Sequence, residues 1–202
     1  DAADSLYGGA TDDLLSGDTG SALLYGGAGN DNLSGGANND TLWGDAGADQ
    51  LYGDAGDDSL NGGLGNDQLY GGTGNDTLIA TGGADTLTGG DGNDLFVIQD
   101  VGFGTVVVGN EDPGDTDVDQ IDLSYWGKEN TNIVFDPLNP ENGTIQFLDS
   151  NGTVVGTLSF TNIENVIPCF TPGVMISTAR GEVPVELLQV GDLVPTRDNG
   201  LQ

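Results

Sequence analysis

Residues 26–34 read GGAGNDNLS, and close copies of this stretch follow one another ten times without insertion from Gly8 to Val97. Each copy has Gly near its start, a sixth place that holds Asp except at Ala22, and an eighth place that holds Leu except at Phe96. A fixed short period is the signature of a repeat architecture, in which one small structural unit recurs along the chain. The period therefore governs the prediction of the fold.

The glycine content of each nonamer excludes a helix, because an interior Gly costs about 1 kcal/mol relative to Ala. The three residues around each Leu, such as 32–34, can form a short strand with one side chain pointing inward. The preceding glycines can turn the chain sharply. Two nonamers return the chain to its starting side, so stacked coils predict an all-β fold, a parallel β-roll with strands roughly 4.8 Å apart.

Stacking of the coils sorts the sixth-place Asp residues into two files, one along each edge. The first file contains Asp13, Asp31, Asp49, Asp67 and Asp85, and the second contains Asp4, Asp40, Asp58, Asp76 and Asp94, with a gap at Ala22. Carboxylates held this close repel one another unless a cation lies between them. The spacing therefore predicts a row of metal ions along each file.

The composition indicates which partners and which metal suit the chain. Asp and Glu outnumber Lys and Arg by 33 to 3, so nucleic acid and anionic membrane surfaces would repel it. No apolar run reaches the length of a membrane span. The chain has no His and one Cys, so the repeats offer zinc or copper neither nitrogen nor sulfur. Flexible turns with only oxygen ligands suit multiple Ca²⁺ ions better than Mg²⁺.

Metal binding is also expected from the energetics of one repeat. Each nonamer buries a single Leu, which offsets too little of the cost of ordering nine backbones. A site that is absent from the unfolded chain converts binding energy into folding energy. We therefore expect the β-roll to be stabilised by calcium.

Residues 8–97 resemble the nonapeptide GGxGxDxUx of the repeats-in-toxin (RTX) family. The resemblance implies a β-roll with each Ca²⁺ between the turns of repeats n and n+2, held by the sixth-place carboxylates and by turn carbonyls. Those carbonyls would include the ones of Gly27, Gly29, Gly63, Gly65, Gly72 and Gly74. The resemblance further implies a secreted bacterial protein that is exported unfolded and folds in extracellular calcium. Ala22 would leave a weak or empty site, and residues 80–88 (ATGGADTLT) would distort one turn.

Alternating β-type runs replace the nonamer from Ile98 to Val166, and we expect them to form a β-rich cap over the open end of the roll. A ligand-binding module is the alternative for this segment. Its stretch DPGDTDVDQIDLS carries Asp115, Asp117 and Asp119, which resemble the start of an EF-hand loop and predict a further calcium site. Gln120 and Trp126 replace the Gly and the closing Glu of that motif. The alternative there is a solvated acidic loop.

Residues 167–202 contain Cys169 and the phrase TARGEVPVELLQVGDLV, which resembles the opening of Hint (hedgehog/intein) autoprocessing domains. The resemblance implies that the Cys169 thiol attacks the carbonyl of Pro168 to form a thioester. The histidine that assists this step in the family has no counterpart, so we expect a truncated, inactive start of the domain. A structural Cys in a β-rich tail is the alternative.

Three segments are thus predicted: a calcium-binding roll at 1–97, a cap at 98–166 and the start of a Hint domain at 167–202. The predicted function is that of a secreted, non-enzymatic structural element. One alternative is a precursor that its Hint domain cleaves or splices between Pro168 and Cys169. Another is a subunit of an extracellular filament or surface layer that associates end to end.

Overall fold

The computed structural model describes residues 5–110, 117–126 and 131–167, together with the backbone of two strands at 175–178 and 181–184. Every regular element in these ranges is a β-strand. Within them, no helix exists that is long and apolar enough to cross a membrane. The fold is therefore all-β, as the sequence predicted.

The first sheet has eight strands, and each pairs in parallel with the next. In spatial order they are β1 (Ser5–Gly9), β3 (Leu23–Ala28), β5 (Thr41–Ala46), β7 (Ser59–Asn61), β9 (Thr77–Ala80), β11 (Leu95–Ile98), β13 (Gln120–Asp122) and β17 (Asn165–Ile167). Each step from β1 to β13 skips one element of the chain, and the step from β13 to β17 skips three. The skipped elements belong to the opposite sheet.

The second sheet has nine strands. In spatial order they are β2 (Leu14–Ser16), β4 (Asn32–Ala37), β6 (Gln50–Ala55), β8 (Gln68–Thr73), β10 (Thr86–Asp91), β12 (Phe103–Val108), β16 (Val154–Thr161), β15 (Gly143–Leu148) and β14 (Thr131–Phe135). The pairs from β2 to β16 are parallel, whereas β14, β15 and β16 form an antiparallel meander. Strands β18 (Met175–Thr178) and β19 (Gly181–Pro184) form a separate antiparallel pair.

The register of both sheets confirms the predicted coil. Leu24 lies opposite Leu42 in the first sheet, and Leu33 lies opposite Leu51 in the second, so equivalent residues are 18 positions apart. The eighth-place side chains from Leu24 to Phe96 are at most 1% exposed. They fill the narrow space between the two sheets, which confirms the parallel β-roll.

Most strands are longer than the three residues predicted around each Leu. Strand β4, for example, continues through Gly35 and Gly36 to Ala37, and Gly36 pairs with Asp54 of β6. The first two glycines of a nonamer therefore continue the ladder instead of turning the chain. The turn itself falls on the fourth to sixth places, which follow the strand.

The sheets continue beyond the last nonamer into a β-rich C-terminal cap. Strands β13 and β17 extend the first sheet, while β12 and the meander extend the second. Larger apolar groups fill this end, including the buried Phe147 and Phe160, and the Trp126 ring lies 4.5 Å from that of Phe147. The boundaries proposed at residues 97 and 166 remain a prediction.

Candidate metal centre

Among the described residues, the sixth-place carboxylates form the two files that the sequence predicted. In each file, the backbone N–H of a sixth-place residue donates to Oδ1 of the Asp 18 residues later, at 2.6–3.1 Å. The first file runs through Asp13, Asp31, Asp49, Asp67 and Asp85, and the second runs through Ala22, Asp40, Asp58, Asp76 and Asp94. Each sixth-place Asp from Asp31 to Asp94 is at most 3% exposed.

The second oxygen of eight of these carboxylates has no hydrogen-bond partner among the described residues. Within the described residues, no hydrogen bond reaches the buried Oδ2 atoms of Asp13, Asp31, Asp40, Asp49, Asp58, Asp67, Asp76 and Asp94. A buried polar atom without a partner is costly, and a buried charge without one is costlier. Each of these oxygens therefore requires a proton or a cation.

Glycine in the first place makes room for this oxygen. A Cβ on Gly26 would overlap Oδ2 of Asp31, and Gly53 is related to Asp58 in the same way. The oxygen thus occupies space that any larger residue would fill. This explains why the first place holds Gly in nine of the ten nonamers.

Burial raises the pKa of several of these carboxyl groups in the metal-free protein. The pKa of Asp94 rises to about 8, and the pKa values of Asp58 and Asp85 rise to about 7. The largest cause is desolvation, which a hydrogen bond from a backbone amide partly offsets. Neighbouring carboxylates raise the pKa further, those of Asp119 and Asp76 acting on Asp94. The ionised files are thus unfavourable without a counter-charge.

The part of the chain that the structure describes contains no Lys, Arg or His to supply that counter-charge. The three basic residues of the whole sequence are Lys128, Arg180 and Arg197, all of which follow the nonamers in sequence. In the part of the chain that the structure describes, no three His, Cys, Asp or Glu side chains converge on one point. A site here has at most two carboxylates, and carbonyl oxygens must complete it. Such an oxygen-only donor set fits Ca²⁺.

The predicted carbonyl ligands divide into two groups. The carbonyl oxygens of Gly29, Gly65 and Gly74, in the fourth place, accept no hydrogen bond from any described residue. Gly27 and Gly72, in the second place, lie inside strands β3 and β8. Gly63 is also in the second place, and its carbonyl accepts a 2.9 Å hydrogen bond from the Thr81 hydroxyl. The fourth-place carbonyls are therefore the more available ligands.

Two repeats depart from the pattern in ways that affect the files. Ala22 is buried at 5% exposure, and its N–H still donates to Oδ1 of Asp40, but it adds no carboxylate. In residues 80–88, Ala80 takes the first place and is 1% exposed, so its methyl group occupies the space that Gly leaves elsewhere. Asp85 is the sixth-place residue of that repeat, and its N–H faces the Thr105 hydroxyl at 3.4 Å instead of a carboxylate.

A second ladder in the fifth place was not predicted. There the side-chain oxygen accepts a hydrogen bond from the backbone 18 residues later, as Asp57 does from Asn75 and Asn75 from Asn93. In these bonds the later residue donates its N–H to the earlier side chain. The sixth-place hydrogen bonds have the reverse direction, because there the earlier residue donates to the later Asp. The signal was present in the sequence, because the fifth place is Asn or Asp in seven of ten nonamers. Together the two ladders hold each turn in register.

Several predicted residues lie outside the part of the chain that the structure describes. These are Asp4, Asp115, Pro168 and Cys169. Asp117 is described, and its buried Oδ2 has no hydrogen-bond partner among the described residues. Asp119, which the sequence grouped with Asp115 and Asp117, is 1% exposed, and its Oδ1 accepts a 2.8 Å hydrogen bond from the N–H of Asp94.

Family models match both ends of the chain. The RTX calcium-binding nonapeptide repeat, in its four-copy model, matches residues 1–24, 17–51, 25–60, 34–69 and 70–97. The Hint domain matches residues 168–202. No curated protein sequence matches the chain significantly.

Two solved structures with similarity to this chain come from the Azotobacter vinelandii mannuronan C5-epimerase. The solution structure of its AlgE6R2 subunit is 22% identical, covers 84% of this chain and 95% of its own, and has a TM-score of 0.41. That of the AlgE6R3 subunit is 20% identical, covers 77% and 79%, and has a TM-score of 0.37.

The family matches agree with the site geometry, in which the sixth-place Asp of each nonamer lies in a file beside turn carbonyls. Both resemblances drawn from the sequence are thereby confirmed. Residues 1–97 match the RTX calcium-binding nonapeptide repeat, and residues 168–202 match the Hint domain.

Proposed function

We propose that this chain is a secreted calcium-binding protein whose β-roll folds when it binds extracellular Ca²⁺ and then acts as a rigid structural element. The observation that carries the proposal is the row of buried Oδ2 atoms without hydrogen-bond partners among the described residues. The lack of any basic residue before Lys128 supports it, because no side chain of the roll can then neutralise the files.

Each ion would lie between two successive turns of one file. Its ligands would be the carboxylates of two Asp residues 18 positions apart, such as Asp58 and Asp76, with turn carbonyls such as that of Gly74. The same arrangement would apply to every pair of successive Asp residues in both files, whereas Asp4 is followed in its file by Ala22 and would lack the second carboxylate. The turn at Ala22 would hold calcium weakly, since it lacks one carboxylate.

Folding and calcium binding would be coupled in this scheme. Residues 18 positions apart come together only in the coiled chain, so the unfolded chain has no site and the binding energy becomes folding energy. The high negative charge would keep the unfolded chain expanded until calcium neutralises it. These properties suit a protein that is exported unfolded and becomes rigid outside the cell.

Titration calorimetry with Ca²⁺ and Mg²⁺ tests this function. We expect several Ca²⁺ ions to bind per chain, while Mg²⁺ at the same concentration binds weakly, because it keeps its waters and requires an octahedral site. Equal binding of both ions, or no binding of Ca²⁺, would overturn the proposal.

A second function is supported by the Hint match, which includes Cys169 near its start. We propose that in a longer chain the Cys169 thiolate attacks the carbonyl carbon of Pro168. The C–S bond forms, the peptide C–N bond breaks, and the freed amine of Cys169 takes a proton. Water then attacks the thioester carbonyl, the C–S bond breaks, and the segment that ends at Pro168 is released as a carboxylate while the Cys169 thiol is regenerated. Mass spectrometry of the chain with its downstream sequence should find the parent cleaved and the Cys169→Ala variant intact. If both stay intact, autoprocessing is excluded.

End-to-end association into a filament or surface layer stays a prediction. Light scattering across a calcium titration checks it, since an assembling roll would scatter increasingly as calcium is added. A monomer at all calcium concentrations would exclude it.

A further inference from the structure

The segment after the nonamers contains another turn of the roll that the repeat pattern does not reveal. Gly109 takes the first place, since its carbonyl accepts a 3.0 Å hydrogen bond from Gly90 N–H. Asn110 takes the second place with a φ of 91°, in the left-handed region that the second-place residues of the nonamers also adopt. The turn therefore begins as a nonamer does.

The end of this turn also matches a nonamer. Val118 N–H donates to Oδ1 of Asn93 at 2.8 Å, which continues the fifth-place ladder. Asp94 N–H donates to Oδ1 of Asp119 at 2.8 Å, which continues the second file. A Cβ on Gly109 would overlap Oδ2 of Asp119, the same relationship that Gly26 has to Asp31. Asp119 is thus a sixth-place residue, although it lies 25 residues after Asp94.

The cap supplies the next member of the file. Asp119 N–H donates to Oε2 of Glu164 at 2.6 Å, so a Glu carboxylate takes the place of the following Asp. Asn165 pairs with Gln120 just beyond it. Glu164 lies between β16 and β17, so the second file passes from the repeats into the cap.

Buried oxygens at this turn indicate a ligand. Asp94 is 2% exposed, and its Oδ2 has no hydrogen-bond partner among the described residues. The buried Oδ2 of Asp117, at the fourth place of the new turn, also has none there. No Lys, Arg or His lies in residues 117–126 or 131–167, so the cap offers no basic side chain to them.

We propose that Asp94 and Asp119 hold one further divalent, oxygen-preferring cation at this turn, completed by carbonyl oxygens, and that Glu164 closes the site from the cap by accepting the N–H of Asp119. This inference rests on the proposed calcium binding of the files and extends it to residues outside the repeat motif. The ion would join the repeats to the cap, so the cap would become ordered against the roll only when this last site is filled.

Trp126 reports on this turn, because it lies four residues after the end of β13 and its ring contacts Phe147 of the cap. Replacing the other tryptophan, Trp43→Phe, leaves Trp126 as the only Trp in the chain. In that background, Glu164→Gln and Asp119→Asn are compared with Glu141→Gln as the matched control. Glu164 is exposed, so its replacement leaves the packing of the cap intact.

Calcium alone is the probe, with Trp126 emission and native mass spectrometry as readouts. We expect Glu164→Gln to raise the calcium midpoint of Trp126 emission about tenfold. We expect Asp119→Asn to bind one ion fewer than the parent, and Glu141→Gln to match the parent in both readouts. If Asp119→Asn does not fold, Glu164→Gln alone decides the question.

The two proposals fail in different ways. If the parent binds calcium and Glu164→Gln behaves as Glu141→Gln does, the closing site is wrong while the proposed function stands. If the parent binds no calcium, the proposed function itself is wrong.

Discussion

The backbone N–H of Asp58 donates a 2.8 Å hydrogen bond to Oδ1 of Asp76, while Oδ2 of Asp76 is buried without a hydrogen-bond partner among the described residues. One carboxylate therefore does two things: it fixes the register between successive coils, and it presents a charge that the protein does not neutralise. The first stabilises the roll, whereas the second destabilises it until a cation binds. The predictions below separate these contributions.

Replacing Asp58→Asn and Asp76→Asn together should raise the calcium midpoint of folding about tenfold or more, because two successive carboxylate ligands are lost. The amide oxygen of Asn can still accept the hydrogen bond from the neighbouring coil. The midpoint is measured by circular dichroism during a calcium titration.

The control is Asp45→Asn with Asp91→Asn, which removes the same charge from two exposed second-place and third-place residues. A control midpoint that shifts as far as that of the file variant would mean that only net charge matters. The assignment of the files as ligands would then be wrong.

Lowering the pH should stabilise the metal-free roll. The pKa values of Asp94 and Asp58 are about 8 and 7 in the folded chain, against 3.8 ordinarily, so the folded state binds more protons than the unfolded state. This contribution to the metal-free stability is fully present below 3.8 and is lost as the pH rises through the folded values. With a chelator present, the β-signal should increase from pH 8 to pH 6.

Protons and calcium compete for the same oxygens, so the calcium concentration at the folding midpoint should rise as the pH is lowered from 8 to 6. Calcium titrations at pH 8, 7 and 6 measure this change. A midpoint that does not change with pH would contradict the assignment of the raised pKa values to metal-binding carboxylates.

Restoring the missing carboxylate with Ala22→Asp should add one bound Ca²⁺ and lower the folding midpoint. The position is prepared, since the Ala22 N–H already donates to Oδ1 of Asp40 and Gly17 occupies the first place of that repeat. Native mass spectrometry counts the ions. The control Ala46→Asp adds the same charge at an exposed third-place residue and should add none.

Gly74→Ala should destabilise the calcium-bound roll by about 1–3 kcal/mol. Gly74 has a φ of 127°, and a Cβ there would overlap the carbonyl oxygen of Gly56 on the preceding coil. Thr73→Ala, at the exposed neighbouring residue, should have little effect. Denaturant unfolding in saturating calcium measures both, and equal stabilities would show that the turn tolerates a side chain.

The repeats could be predicted from sequence because every nonamer has the same environment. Once the period was recognised, the pairing of Leu24 with Leu42 and the file that links Asp58 to Asp76 both followed from stacking. The longer strands did not follow, because the glycine pairs suggested turns. Gly36 nevertheless stays in the ladder opposite Asp54.

The turn at Gly109 could not be predicted, because insertions remove the period that identifies a repeat. Asp119 lies 25 residues after Asp94, and Glu164 lies 45 residues after Asp119. Only hydrogen bonds between distant segments show that these residues continue the file. Spacing in the sequence carries no such information.

Far-UV circular dichroism of the chain in a chelator, before and after addition of about 5 mM Ca²⁺, tests the central claim most directly. We predict a largely unfolded chain in the chelator at pH 8 and a strong β-signal once calcium is added. A chain that keeps its full β-signal in the chelator at this pH would contradict the account, since its carboxylate files would then be stable without a cation.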